Sequence, residues 1–296
     1  DEKARRGKLR SYGVLLHDKN REANILALHE TLKNHTFKNS EYSTFTIYEP
    51  KERIIFRLPY YPDRILHHAI MNILEPIWVS VFTKDTYSCI KGRGIHGAMR
   101  NVKRAIKDRE NARYCLKIDI RKFYPSIDHD VLKTIIRRKI KCKDTLALLD
   151  TIIDSTDGVP IGNYLSQYFA NLMLAYFDHW IKEEKRVRNY FRYADDMVFL
   201  ASTKEELHIL LADIKKYLAA LKLTLKGNEQ IFPIAENRAD KHGRGLDFVG
   251  FVFYHNQTLM RKSIKQNFCR MAARLNKKLN ISARDYKQKL CSWDGW

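Results

Sequence analysis

The sequence predicts an α+β fold in which helices pack on an antiparallel sheet, and three observations predict it. Short strand-like runs alternate with helical stretches, so strands that pair are not all neighbours in sequence. Two apolar runs, Tyr190-Phe191-Arg192 and Met197-Val198-Phe199-Leu200, flank Tyr193-Ala194-Asp195-Asp196 and read as a β-hairpin with the acids at its bend. Neither G-x-G-x-x-G nor G-x-x-x-x-G-K-[ST] follows a strand, which argues against a doubly wound nucleotide fold. The 296 residues suffice for one large or two small domains around a substantial core.

From the start of the chain, residues 1–32 are basic and read as helical. Residues 42–48 alternate like a strand, 49–52 turn, and 53–59 give a second strand with Arg53 and Arg57 on one face. Residues 61–80 predict a helix whose core stripe is Ile65, Ile70, Ile73, Leu74 and Ile77. A glycine-rich basic loop at 91–97 precedes a helix through Met99, Val102 and Ile106, and the strand at 113–120 carries a lone carboxylate, Asp119. Asp128 caps the next helix, which carries Val131, Leu132, Ile135 and Ile136 and runs into a basic cluster at 137–143. Residues 158–162 precede one long helix with Leu165, Phe169, Leu172, Met173, Tyr176 and Trp180 on one side. After the Asp-Asp hairpin, Ser202 and Glu205 form a capping box for a helix carrying Leu207, Leu210, Leu211, Ile214 and Leu218. Apolar strands are expected at 221–226 and 246–254. Beyond them, Arg261 to Lys289 holds ten Lys or Arg against Asp285 alone.

The charge balance points to a polyanionic partner. Lys and Arg number 54 against 34 Asp and Glu, a net charge of +20. A membrane is the rival, but no apolar run approaches the ~20 residues of a spanning helix, and the start carries no signal-peptide pattern. The five cysteines (Cys89, Cys115, Cys142, Cys269, Cys291) form no C-x-x-C pair, so neither a disulfide framework nor a zinc site is indicated and a reducing cytoplasm is expected. The chain opens without Met, as a piece of a longer protein would.

Two adjacent carboxylates at a hairpin bend are costly. At about 4 Å and an effective dielectric near 20 they repel by roughly 4 kcal/mol, so a hard cation with oxygen ligands is the expected compensation. A solvated turn is the plain alternative, since Asp is common in turns. If the Asp119 strand lies beside the hairpin, three acids converge at one sheet edge. Such a set makes a poor calcium cage but a good magnesium platform for nucleotidyl transfer.

In order, Asp119 with Phe123-Tyr124, Gly162 with Ser166-Gln167, Tyr193-Ala194-Asp195-Asp196, Lys226, and Phe248-Val249-Gly250-Phe251 resemble a reverse transcriptase over about residues 45–255. Pro59-x-x-x-Asp63-Arg64 and Gly92-Arg93-Gly94-x-His96 look like finger motifs of prokaryotic members. Ile161-Gly162-x-x-x-Ser166-Gln167 is most similar to the enzymes of diversity-generating retroelements, which carry Ser-Gln and an aliphatic residue before the glycine.

The resemblance implies a right-hand polymerase with fingers over 1–112, palm over 113–254 and a short helical thumb over 255–296. Asp119 and Asp195 would bind two Mg2+ ions, assisted by the Ile120 carbonyl and supported by Asp196. Tyr124 would be the steric gate against a 2′-hydroxyl. Lys51, Arg53 and Arg57 would hold the triphosphate. Gly162 would let backbone approach the nucleotide, Ile161 and Gln167 would line the nascent base pair, and Lys226 would give a proton to pyrophosphate. Val249-Gly250-Phe251 would form the primer grip. Implied partners are template RNA, the RNA/DNA duplex, deoxynucleoside triphosphates and a basic, oligomeric accessory variability protein, with no membrane and a bacterial or phage-encoded cytoplasmic setting. A retron or group II intron enzyme, or a non-catalytic RNA-binding scaffold, are the alternatives.

Overall fold

In the computed structural model, which describes residues 1–48, 52–277, 281–291 and 293, helices α1 (Tyr12–Asp18) and α2 (Arg21–Lys33) precede an antiparallel hairpin. Its strands are β1 (Ser43–Ile47) and β2 (Arg53–Arg57), with Phe45 opposite Ile55. The expected turn at 49–52 lies largely outside the described residues. A wide turn at Tyr60–Arg64 leads into α3 (Ile65–Val81), then α4 (Ile95–Ile106), β3 (Tyr114–Asp119), α5 (His129–Arg137) and α6 (Lys143–Ile153). Next come α7 (Tyr164–Met173), α8 (Ala175–His179), β4 (Asn189–Tyr193), β5 (Asp196–Ala201), α9 (Lys204–Ala220) and β6 (Gln230–Pro233). The chain continues through β7 (Leu246–Phe248), β8 (Phe251–Phe253), β9 (Thr258–Met260), α10 (Lys262–Asn276) and α11 (Ala283–Cys291).

The central sheet is antiparallel, in the order β4-β5-β3-β6. Alternation along each strand divides its side chains between two cores. Leu116 and Ile118 of β3 and Met197 and Phe199 of β5 join the larger core, packed with residues of α3, α5, α7, α8 and α9. Cys115, Val198 and Leu200 join a smaller core with Val102 and Ile106 of α4 and the phenylalanines of the β7-β8-β9 sheet. Lys117, Asp119 and Asp196 share this second face by parity, toward the end of the sheet where β3 and β5 reach the bend. The free edge of β4 is covered by the chain at 85–87: Arg192 N donates to the Asp85 carbonyl at 2.9 Å and Tyr87 N to the Arg192 carbonyl at 3.0 Å.

Asp128 caps α5 as expected, its Oδ1 accepting from Val131 N at 3.1 Å. Five local expectations are corrected. On α3, Ile73 is 70% exposed and Ile77 37%, while Leu66, Met71 and Trp78 are buried with Ile65, Ile70 and Leu74. The two isoleucines form their own i, i+4 row on the outer side of the helix. The long helix is interrupted at Leu174 (φ −106°, ψ 1°), although Leu165, Phe169, Leu172 and Met173 are buried. The cap of α9 is Thr203, whose hydroxyl accepts from Glu206 N at 3.2 Å; S/T-x-x-E fits both registers, and β5 runs on to Ala201. Residues 221–226 make no ladder: Lys222 (φ +57°) turns the chain, and Leu225 forms only an isolated bridge to Ile120. The ladder beside β3 is β6 instead. Finally, 246–254 is a hairpin rather than one strand, because Val249 (φ +45°) and Gly250 (φ +88°) both take the left-handed region, as a type I′ turn requires.

Candidate active site

The ladder brings the predicted acids together. Asp119 is the last residue of β3 and lies directly opposite Asp196, the first residue of β5. Asp196 also pairs with Tyr193, leaving Ala194 and Asp195 as a two-residue bend. Ala194 has φ +56°, a conformation that costs a non-glycine residue about 1 kcal/mol or more.

These carboxyls share a cavity of about 660 Å³ with Arg53 of the β1-β2 hairpin, Ile120, Lys226 and Arg261. Six cationic side chains line it against four carboxylates, so the cavity as a whole suits a polyphosphate. Lys226 Nζ lies 2.9 Å from Asp119 Oδ2, and its backbone N donates to the Asp119 carbonyl at 2.9 Å. Lys117 Nζ lies 3.3 Å from Asp196 Oδ2 and donates to the Asp247 carbonyl at 2.6 Å. Burial, then the neighbouring Asp119 carboxylate, pushes Asp195 up to about 6. Burial also pushes Asp196 up to about 6, with Lys117 pulling the other way.

Among the described residues no three His, Cys, Asp or Glu side chains close into a metal cage. Magnesium does not need one, since it binds through one or two carboxylates plus water and phosphate oxygens. The acids fit such an ion. Asp195 carries an excess of negative charge from Asp119, and Asp196 Oδ1 is buried without a hydrogen-bond partner.

The other expected site residues fall into several places. Tyr124 is half-buried and near Asp195; burial first, and then neighbours including Asp195, push its hydroxyl well above the usual range. Gln167 is exposed on α7 between buried Ser166 and Tyr168. The Ile161 carbonyl accepts from Phe56 N of β2 at 2.8 Å. Gly162 (φ +124°) presses so closely on the same strand that a Cβ would stand 2.3 Å from the Phe56 carbonyl oxygen. Here the close approach that glycine permits is to the β1-β2 hairpin. Arg57 and Gly162 line a separate cavity of about 450 Å³ with Lys8, Arg64 and His67, away from the acids. The Val249-Gly250 turn is tied to the start of α10 by Arg261 N donating to the Gly250 carbonyl at 2.9 Å, while Phe251 is buried in the smaller core. Lys51 lies outside the described residues.

The sequence reading missed the support behind the bend. Arg192, flanking the acids in β4, is fully buried and ion-paired to Asp178 of α8 at 2.6 Å. The available signal was its parity with Tyr190, a core-facing position, but an arginine at such a position does not announce its partner.

The family model of reverse transcriptases (RNA-dependent DNA polymerases) matches residues 43–228. The chain belongs to that family. Among curated relatives, this reverse transcriptase is 24% identical over 266 residues to Protein YkfC of Escherichia coli (strain K12), covering 73% of this chain and 67% of that protein. It is 25% identical over 214 residues to the Retron Ec73 reverse transcriptase of Escherichia coli, covering 64% and 59% of the two chains. With the group II intron-encoded protein LtrA of Lactococcus lactis subsp. cremoris it shares 27% over 139 residues, covering 43% of this chain and 23% of LtrA. The chain thus spans from about a quarter to two thirds of the length of these relatives. The apo telomerase of Candida Tropicalis truncated from its C-terminal domain matches its fold with a TM-score of 0.58 at 13% identity, over 81% of this chain and 60% of that chain. That likeness assigns the right-hand polymerase fold. In the described residues no helix is long and apolar enough to cross a membrane.

Proposed function

We propose that this reverse transcriptase extends a DNA primer on an RNA template, with Asp119 and Asp195 holding two magnesium ions. The observation that carries the reading is the ladder pairing of Asp119 with Asp196, which brings the strand-end acid to the Asp195 bend in a cation-walled cavity. When bound, the ions stabilise the attacking and leaving oxygens of the in-line phosphoryl transfer. The protein's own groups orient the reactants. Arg53, on the cavity wall, is suited to grip the triphosphate by its guanidinium fork. Tyr124, near enough to Asp195 to feel its charge, would act as the steric gate against a ribose 2′-hydroxyl. Lys226 holds its ammonium at Asp119 and, with nucleotide present, would protonate the departing pyrophosphate.

The proposed domain division assigns residues 1–112 to fingers, 113–254 to palm and 255–296 to thumb. The turn at Val249-Gly250, tied to α10 through Arg261, would press on the primer end, and the basic α10 and α11 would follow the duplex. The test is primer extension on an RNA template with magnesium and deoxynucleotides. The Asp195→Ala/Asp196→Ala protein should bind RNA but make no cDNA. Synthesis surviving in that variant would refute the assignment.

The finer reading is the mutagenic enzyme of a diversity-generating retroelement, copying the element's own RNA with errors at template adenines beside an accessory variability protein. It rests on Ile161 and on Gln167, the exposed residue of an otherwise packed helix segment. Product sequencing should show errors concentrated at template adenines, and Ile161→Gln should change that spectrum. Accurate cDNA would favour a retron-type or group II intron-type enzyme, the reading supported by the named relatives.

A further inference from the structure

The bend that carries Asp195 is braced from behind by a buried arginine. Arg192 and Asp178 are both 0% exposed. The Arg192 Nε donates to Asp178 Oδ1 at 2.8 Å and its Nη2 to Asp178 Oδ2 at 2.6 Å, a two-pronged pair. Its Nη1 faces elsewhere, donating to the Ala194 carbonyl at 3.0 Å and to Asn171 Oδ1 at 3.2 Å. Asn171 is fixed in turn by donating to the Ser88 carbonyl at 2.9 Å, and Thr86 donates to Asp178 Oδ2 at 2.8 Å. A guanidinium alone among side chains can grip a carboxylate with one edge while a second edge reaches a backbone carbonyl.

The carbonyl it reaches belongs to a residue whose backbone lies in the left-handed region. Ala194 sits at φ +56°, which favours glycine, and it immediately precedes Asp195. A strained bend persists only when its surroundings over-determine it. Here helices α7 and α8 supply those surroundings through one arginine.

We propose that Arg192 is a positioning residue for catalysis: its Nη1 bond to the Ala194 carbonyl, anchored by Asp178 and Asn171, fixes the bend and so aims the Asp195 carboxylate at the reacting phosphate. This rests on the proposed polymerase activity. Arg192 touches neither substrate nor metal. Losing its second edge leaves primer–template binding and nucleotide binding intact and lowers the rate of the chemical step.

Arg192→Lys separates the two edges, because an ammonium can keep the pair with Asp178 but cannot also bond Ala194. In the full chain it should retain duplex affinity and nucleotide KM within about twofold while kcat falls roughly 10- to 100-fold. Without metal or substrate, hydrogen exchange of the 194–196 amides should quicken about tenfold, with exchange in α9 unchanged. Should Arg192→Lys misfold, the charge-neutral Arg192→Gln/Asp178→Asn protein is measured instead. It keeps amide hydrogen bonds in the node but is too short to reach Ala194, and the same outcomes are expected. Tyr190→Phe is the control. Tyr190 donates to Asp178 at 2.6 Å without a bond to the bend, so its loss should lower the melting temperature and spare kcat. A folded Arg192 variant with wild-type kcat, or unchanged exchange at the bend, would overturn the proposal. So would an equal kcat loss in Tyr190→Phe, which would mean general loosening of the core. A wild-type chain that makes no DNA defeats the polymerase reading instead, and bend exchange still decides whether Arg192 holds the bend.

Discussion

Neutralising Asp195 should stabilise the metal-free protein while abolishing its activity. Burial and the Asp119 charge raise the Asp195 pKa from 3.8 to about 6. A carboxyl raised in the folded state contributes stability that is fully present below about pH 4 and is lost as pH rises through about 6. Two pKa units correspond to about 3 kcal/mol, and partial solvent screening lowers the expected gain from Asp195→Asn to roughly 1–3 kcal/mol at pH 7.5. With an unfolding entropy of about 2 cal/mol/K per residue, that gain raises the melting temperature by roughly 2–5 °C. The assay is thermal unfolding in chelator at pH 7.5 and again at progressively lower pH. The advantage should be full at pH 7.5 and fade as pH falls through 6 towards 4. Magnesium should reverse the ranking, because only the wild-type protein retains the full carboxylate set and gains stability by binding the ion. An Asn protein no more stable than wild type at pH 7.5, or equally advantaged at pH 4, would refute the argument that Asp195 is a strained charge awaiting a cation.

Gly162→Ala should destabilise the protein by roughly 2–3 kcal/mol, because the new Cβ meets the Phe56 carbonyl oxygen at 2.3 Å and φ is +124°. Thermal unfolding measures the cost, and nucleotide KM should rise as the β1-β2 hairpin shifts. Tyr124→Val should raise ribonucleotide incorporation roughly 10- to 100-fold relative to deoxynucleotides, read by single-nucleotide extension. Unchanged discrimination would remove Tyr124 from the gate.

The strands that carry the acids were legible because period-two alternation is strong there: Leu116, Ile118, Met197 and Phe199 face one core, and the carboxylates end or bend the run. What failed was mostly punctuation. Ser202 and Thr203 both satisfy the capping pattern, so only the length of β5 chooses between them. Val249-Gly250 makes a type I′ turn with a β-branched residue at positive φ, a position where sequence rules look for Asn or Asp. On α3, Ile73 and Ile77 are apolar at helical spacing yet exposed, which composition alone cannot reveal. Arg192 was illegible for a deeper reason. A buried arginine makes sense only once Asp178 and Asn171, from two other elements, are known to meet it.

Two non-glycine residues, Ala194 and Val249, turn hairpins in the left-handed region, and both have neighbours that line the same cavity. One immediately precedes Asp195, and the other is followed by Gly250, whose carbonyl accepts from Arg261 N; Asp195 and Arg261 both line that cavity. Each is braced by an arginine joining the turn to a carboxylate: Arg192 to Asp178, and Arg261 Nε to Asp247 Oδ1 at 2.8 Å. Stability alone would favour glycine at both turns and fewer charges beneath them. Alanine and valine disfavour that conformation, so each turn depends on the contacts that impose it, and the arginines supply contacts that fix them. A site that must align a primer end with a bound triphosphate gains from that rigidity, since misplacement by about 1 Å can cost on the order of a hundredfold in rate. Under the proposed in-line transfer, the two braced turns would serve that alignment, a use that a scaffold binding only RNA would not have.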